Sequence, residues 1–150
     1  MKERISRDKM FMDIAKIVAQ RGTCDRAQVG AILVNKENKI ISIGYNGSPS
    51  GEKHCDEVGH LMFNGHCVRT IHAEENCLRD ITLQGEFVMY VTHYPCMKCQ
   101  VVMYEKLKHD DGTMLVIYDQ RYGSSTYFEY IPEVHRILQF SSLQSLEDMI

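Results

Sequence analysis

Apolar residues at Met10, Ile14, Ile17 and Val18 recur at the spacing of one helical face, which predicts a helix over Met10 to Gln20. The pattern then changes. Val29 to Val34 and Ile40 to Tyr45 are short strand-like runs on either side of Asn35-Lys36-Glu37-Asn38, and they read as a hairpin. Further along, Ala73 to Arg79 reads as a short helix, Phe87 to Thr92 as a strand, Cys96 to Glu105 as a helix and Met114 to Tyr118 as a strand. Strand, helix, strand with a crossover of this length implies parallel pairing, with helices covering the sheet. The expected fold class is α/β, a three-layer α/β/α sandwich around a mixed, mostly five-stranded sheet. Beyond Gly123 the pattern weakens: Phe128 to Leu138 reads as helix interrupted by Pro132, and the segment after Pro132 has no assigned role.

The chemistry lies at two of the helix starts. His72-Ala73-Glu74 is followed on the same chain by Pro95-Cys96-Met97-Lys98-Cys99. An imidazole and two thiolates are good ligands for tetrahedral zinc, and three protein ligands leave a position open for water. Pro95 fixes φ at the first turn of the second helix, which places Cys96 and Cys99 on one face of that turn. A helix N-terminus also favours the negative charge of a thiolate. Two helix N-termini are therefore expected to face each other across one zinc. Glu74 is placed to be a carboxylate that is not itself a ligand and that exchanges protons with a zinc-activated water of pKa about 7. His-x-Glu with Pro-Cys-x-x-Cys is the signature of zinc nucleobase deaminases. A redox Cys-x-x-Cys or half of a structural zinc knuckle would explain neither Glu74 nor Pro95.

Composition narrows the setting. With 150 residues and 44% hydrophobic content the chain can bury one core, and residues 1–150 read as a single domain. No apolar stretch approaches the roughly 20 residues of a membrane span, and Met1-Lys2-Glu3-Arg4 lacks a signal-peptide core, so the expectation is a cytoplasmic protein with no membrane partner. A net charge of −3 argues against a nucleic-acid surface and favours mononucleotide substrates.

The chain resembles the deoxycytidylate (dCMP) deaminase family, in particular bacterial and phage members related to the late-competence-operon deaminase. The resemblance runs over nearly the whole length. It is carried by Thr23-Cys24-Asp25-Arg26, Val29-Gly30-Ala31, Gly44-Tyr45-Asn46-Gly47-Ser48-Pro49, His54-Cys55-Asp56, the run from His66 to Glu74, and Tyr90 to Cys96. It implies a cytidine deaminase-like fold and hydrolytic deamination of dCMP to dUMP and ammonia, supplying dUMP for thymidylate synthesis.

By the same resemblance, zinc would be held by His72, Cys96 and Cys99, with Glu74 as the proton carrier and backbone near Ala73 reading the base edge. Asn46 would contact the deoxyribose; by itself Asn-Gly is also an ordinary turn. Arg26, His66, Arg121 and Tyr122 would take the 5′-phosphate, with Tyr118 as the other choice of tyrosine. Cys24, Cys55, His60 and Cys67 look like a second, structural zinc site. His54 and His66 compete for its histidine, and three buried thiols without metal are the alternative. Cys77 reads as core, and Tyr94 as either pocket wall or core. Family members are commonly hexamers activated by dCTP and inhibited by dTTP, and Gly47, Pro49, Gly51 and Glu52 match the effector loop. Other classes of function stay open: a deaminase of tRNA or single-stranded DNA, and a non-catalytic DNA-uptake or assembly factor.

Overall fold

The computed structural model describes residues 3–23, 28–47 and 71–120, with the backbone alone at 62–63, 66–67 and 135–139. Helix α1 (Arg7–Ala19) is followed by the hairpin β1 (Gly30–Asn35) and β2 (Ile40–Tyr45), then by the short pair β3 (Met62–Phe63) and β4 (His66–Cys67). Helix α2 (Ala73–Leu78), β5 (Gly85–His93), α3 (Met97–Asp110), β6 (Gly112–Gln120) and β7 (His135–Gln139) complete the order. The main sheet has five strands in the order β2-β1-β5-β6-β7. The β1/β2 and β1/β5 pairs are antiparallel, and β5/β6 and β6/β7 are parallel. The mixed sheet is the expected one.

Alternation along the strands separates two cores. Ala31, Leu33, Met89, Val91, Met114, Val116 and Tyr118 pack with Ala73, Cys77, Leu78, Met103 and Leu107 on the α2/α3 side. Ile32, Val34, Tyr90 and Ile117, the residues between them, pack with Phe11, Met12, Ala15 and Val18 of α1 on the other side. Period-two alternation with both faces covered gives the three layers.

The buried face of α1 differs from the expected one. Phe11, Met12, Ala15, Val18 and Ala19 are buried, whereas Met10 is 40% and Ile17 65% exposed. The helix is apolar on more than one side, and close approach selects the side with small residues: a side chain at Gly30 would run into the Ala15 carbonyl and the Ala19 backbone. Ser6 caps the helix by accepting from Lys9 N at 3.0 Å, and the Tyr90 hydroxyl donates to Asp8 Oδ1 at 2.5 Å, tying the first turn to β5.

The helix read over Phe128 to Leu138 is also corrected, because His135–Gln139 is a strand in register with Met114 to Tyr118 of β6. A strand there satisfies the backbone groups along the open edge of β6, a tertiary demand that local periodicity does not report. Between β2 and α2, Met62–Phe63 and His66–Cys67 pair as the two-stranded antiparallel β3/β4.

Gly44 connects this architecture to the chemistry. It pairs with Ala31 in the sheet, and a Cβ there would collide with the Ala73 carbonyl and the Cys77 backbone of α2. Ser42, on the same strand and face, donates from Oγ to the Cys77 carbonyl at 2.6 Å. Helix α2 thus rests on β2 at backbone distance. Gly44→Ala is expected to cost about 1–3 kcal/mol, the range for overpacking, read by urea unfolding; unchanged stability would mean that α2 does not pack this closely.

A second brace lies at the far end of α3. Asp110 Oδ2 accepts from Leu83 N at 2.9 Å, and this bond, with help from His109 and Lys106, holds the Asp110 carboxyl down at about 2. A folded-state value below the ordinary one gives stabilisation that is complete above about pH 4 and is lost as pH falls toward the folded value. Asp110→Asn, which keeps a neutral acceptor, is expected to be less stable than the parent at neutral pH. Parallel unfolding curves should show that deficit narrowing below about pH 4.

Candidate metal centre and active site

The site forms where two helices begin at the same place. His72 is the N-cap of α2 and Cys96 the N-cap of α3, each with extended backbone and no side-chain capping bond, so both side chains are left for the site. Cys99 lies one turn into α3. Pro95 therefore precedes the cap and does not form the first helical residue, which moves the helix start to Met97. In the parallel β5-α3-β6 unit this is the carboxyl end of β5, beside the switch from antiparallel to parallel pairing, where open α/β sheets place their ligands.

The approach to His72 is fastened on both sides. Gly47 N donates to Ile71 O at 3.1 Å and Ile71 N to Gly47 O at 2.7 Å. Asn76 Nδ2, from the middle of α2, donates to Tyr45 O at 2.9 Å and lies 3.5 Å from Ile71 O. These contacts join the end of β2 to the residue before His72. Across the site, Lys98 Nζ lies 3.5 Å from Glu75 Oε1 and links α3 to α2. That lysine is 71% exposed, so the ion pair adds little stability.

One ligand atom from each of His72, Cys96 and Cys99 lies within 4.8 Å of the others. The His72 Nδ1 atom faces both sulfurs, 3.1 Å from Cys99 Sγ and 3.5 Å from Cys96 Sγ. Without metal the two thiols share one charge. Hydrogen bonds from Cys99 and His72 bring Cys96 down to about 4, whereas the neighbouring thiolate and burial push Cys99 up. His72 is shifted upward, chiefly by its hydrogen bond with Cys96. A thiolate, a second thiol and an imidazole converging at this distance form a donor set that suits one zinc.

Glu74, in the first turn of α2, is only 4% exposed. Burial raises its carboxyl above the ordinary range, opposed by its own backbone N–H and by His72; it also lies within hydrogen-bonding reach of the Cys99 thiol. A buried carboxylate of raised basicity, facing the metal ligands without belonging to their cluster, is suited to carrying protons.

The comparisons with known proteins agree with this geometry. The family described as "Cytidine and deoxycytidylate deaminase zinc-binding region" matches residues 5–109. The chain belongs to this deaminase family. Among its relatives, ComE operon protein 2 of Bacillus subtilis is 45% identical over 101 residues, 65% of this chain and 53% of that protein. The deoxycytidylate deaminase of Schizosaccharomyces pombe is 34% identical over 109 residues, 65% of this chain and 34% of the relative. The chain thus spans about half or less of the length of these curated relatives. Among solved structures, the dCMP deaminase of cyanophage S-TIM5 in complex with dCMP and dUMP superposes with a TM-score of 0.62 at 25% identity, covering 81% of this chain and 86% of that one. The cytidine deaminase-like fold and a zinc-binding region of the deaminase family follow from these matches.

The other expected site residues fall into three groups. Ala73 is fully buried at the first position of α2, against the sheet. Asn46 is buried, and its Oδ1 accepts from Val29 N at 2.8 Å, so its carbonyl oxygen joins the strand end to the segment before β1. Tyr94 and Tyr118 are both 3% exposed and meet edge to face with ring centroids 4.9 Å apart. Both belong to the core on the α2/α3 side of the sheet. Cys77 is core as expected, with burial pushing its thiol up to about 12. His66 and Cys67 are described only as backbone of β4. Cys24, Arg26, Pro49, Gly51, Glu52, His54, Cys55, His60, Arg121 and Tyr122 lie outside the described residues. Among the described residues, no helix is long and apolar enough to cross a membrane.

Gly44 and Asn76, which hold α2 against β2, and the buried Gln100 beside Cys99 were not identified from sequence. Gln100 carries the clearest signal, a polar residue on the apolar face of α3 that includes Cys99, Met103 and Leu107. In metal-free protein, alkylation followed by peptide mapping should modify Cys96 well before Cys77, because one is a thiolate at neutral pH and the other a buried thiol. Prior zinc loading should protect Cys96; equal labelling with and without zinc would exclude it as a ligand.

Proposed function

We propose that this chain catalyses the hydrolytic deamination of dCMP to dUMP and ammonia. The observation that carries the proposal is the convergence of His72, Cys96 and Cys99 beside the buried, raised-pKa carboxylate of Glu74. The relatives named as deoxycytidylate deaminases supply the substrate class.

In this reading His72, Cys96 and Cys99 hold the catalytic zinc. Bound there, zinc supplies Lewis acidity that brings the pKa of a coordinated water to about 7. Glu74 accepts a proton from the attacking water, delivers it to N3 of cytosine and later hands a proton to the departing amine. C4 gains a carbonyl oxygen and the amino group leaves as ammonia, so one water is consumed for each base converted. The low exposure of Glu74 keeps these protons on the reacting groups and away from bulk solvent. Backbone near Ala73 reads the base edge. Asn46, whose carbonyl oxygen accepts from Val29 N, addresses the deoxyribose.

Arg26, His66, Arg121 and Tyr122 are assigned to the 5′-phosphate, which suits the forked donors of arginine. Cys24, Cys55, His60 and Cys67 are assigned to a second, structural zinc. A hexamer regulated by dCTP and dTTP through Gly47, Pro49, Gly51 and Glu52 completes the proposal, and the product feeds thymidylate synthesis. The acidic balance of the chain supports a mononucleotide over a polynucleotide substrate.

Ammonia release with dCMP, deoxycytidine, dCTP and cytidine, each with and without dCTP as effector, tests the reading. Turnover of dCMP is expected to fall about 10²- to 10⁴-fold in Glu74→Gln, the range for loss of general acid–base catalysis, with zinc content unchanged. Equal turnover of deoxycytidine would remove the phosphate assignment. Inactivity on every mononucleotide would move a polynucleotide substrate to the front.

A further inference from the structure

Gln100 occupies the inner face of α3 with Cys99, Met103 and Leu107, and it is 1% exposed. Glutamine is mostly a surface residue, and an interior amide costs free energy unless it is paired. Its Nε2 donates to Pro95 O at 2.9 Å, and its backbone N–H donates to Cys96 O at 3.0 Å. The amide orientation is fixed by the partner, since a carbonyl only accepts.

Those two carbonyls belong to the peptide planes on either side of the Cys96 α-carbon. One residue therefore anchors both peptide planes that set the direction of the Cys96 Cα–Cβ bond, at φ −69° and ψ 166°. Cys96 makes no side-chain capping bond, and its thiol faces His72 Nδ1 and Cys99 in the site, so the Gln100 contacts act on its backbone alone. The bond also reaches backward over the start of α3, the direction in which helical side chains lean.

We propose that Gln100 is a positioning residue for the metal centre, presetting the Cys96 sulfur for capture of zinc together with His72 and Cys99. The inference rests on the ligand assignment above. It adds a residue that touches neither metal nor substrate and acts through the backbone of a ligand. Groups behind the ligands of metal sites commonly act in this way, and a site held loosely by its supports loses affinity even when every ligand is present.

The test compares the parent with Gln100→Met, which keeps the interior volume and cannot donate. Zinc release to a colorimetric chelator is expected to be about 10- to 100-fold faster in the variant, the usual cost of losing such a group. The thiolate-to-metal charge-transfer band of the cobalt(II)-substituted protein should shift. The melting temperature of the metal-free form should stay the same or rise. Equal release rates with an identical cobalt spectrum would reduce Gln100 to core filler and overturn the proposal. Should Gln100→Met not fold, the side-chain amide of Gln100 in the metal-free parent gives the answer by ¹H–¹⁵N spectroscopy: slow exchange with solvent supports the bond to Pro95, and fast exchange overturns it. A parent that takes up no zinc would remove the ligand assignment, and the inference with it, an outcome distinct from equal retention by both proteins.

Discussion

The site depends on two helices starting at one point, and that convergence depends on how closely α2 can lie against β2. A helix normally stands off a sheet by the length of the intervening side chains. At Gly44 the backbone of α2 occupies the space a side chain would fill. The Ser42 hydroxyl and the Asn76 amide then fasten α2 to the same strand, on the Cys77 and Tyr45 carbonyls. His72 is brought over the end of β5, where α3 begins with Cys96. A side chain at Gly44 would have to push α2, and the His72 imidazole at its start, away from the sheet.

Much of this was legible in the sequence because it is written in local pattern. β1, β2, β5 and β6 were expected within a few residues, since strands covered on both faces read as short, nearly continuous apolar runs. The metal ligands and Glu74 were legible because zinc chemistry demands particular residue types at fixed spacing around a helix start. What escaped is tertiary in origin. The exposed face of α1 carries Met10 and Ile17 as apolar as its neighbours, and only the approach of Ala15 and Ala19 to Gly30 selects the buried side. β7 was missed because a segment with helical spacing was drawn into the open edge of β6. Asn46 kept its position but gained an internal partner that no motif announces.

Holding the site together without a cation is costly, which shapes how folding and metal binding are linked. A buried carboxylate at Glu74 and the charge shared between Cys96 and Cys99 repel one another, and Cys99 answers by keeping its proton. The imidazole of His72, shifted upward, offsets part of that charge. A divalent cation bound by these residues would relieve the repulsion and favour release of the remaining thiol proton, so binding is coupled to deprotonation and to the folded state. A ligand that binds only the folded form adds its binding free energy to stability.

The supports around the ligands follow from this opposition. Charges that repel one another do not assemble a site by themselves, so neutral groups must hold the geometry. The Gly47–Ile71 bridge, the Asn76 amide and the two donors of Gln100 are all neutral and all act on backbone carbonyls or amides. Backbone bonds of this kind are insensitive to the protonation state of Cys96, Cys99, His72 and Glu74. The frame can therefore stay fixed while protons move within it. That separation suits the proposed reaction, in which the carboxylate changes protonation without moving the ligands beside it.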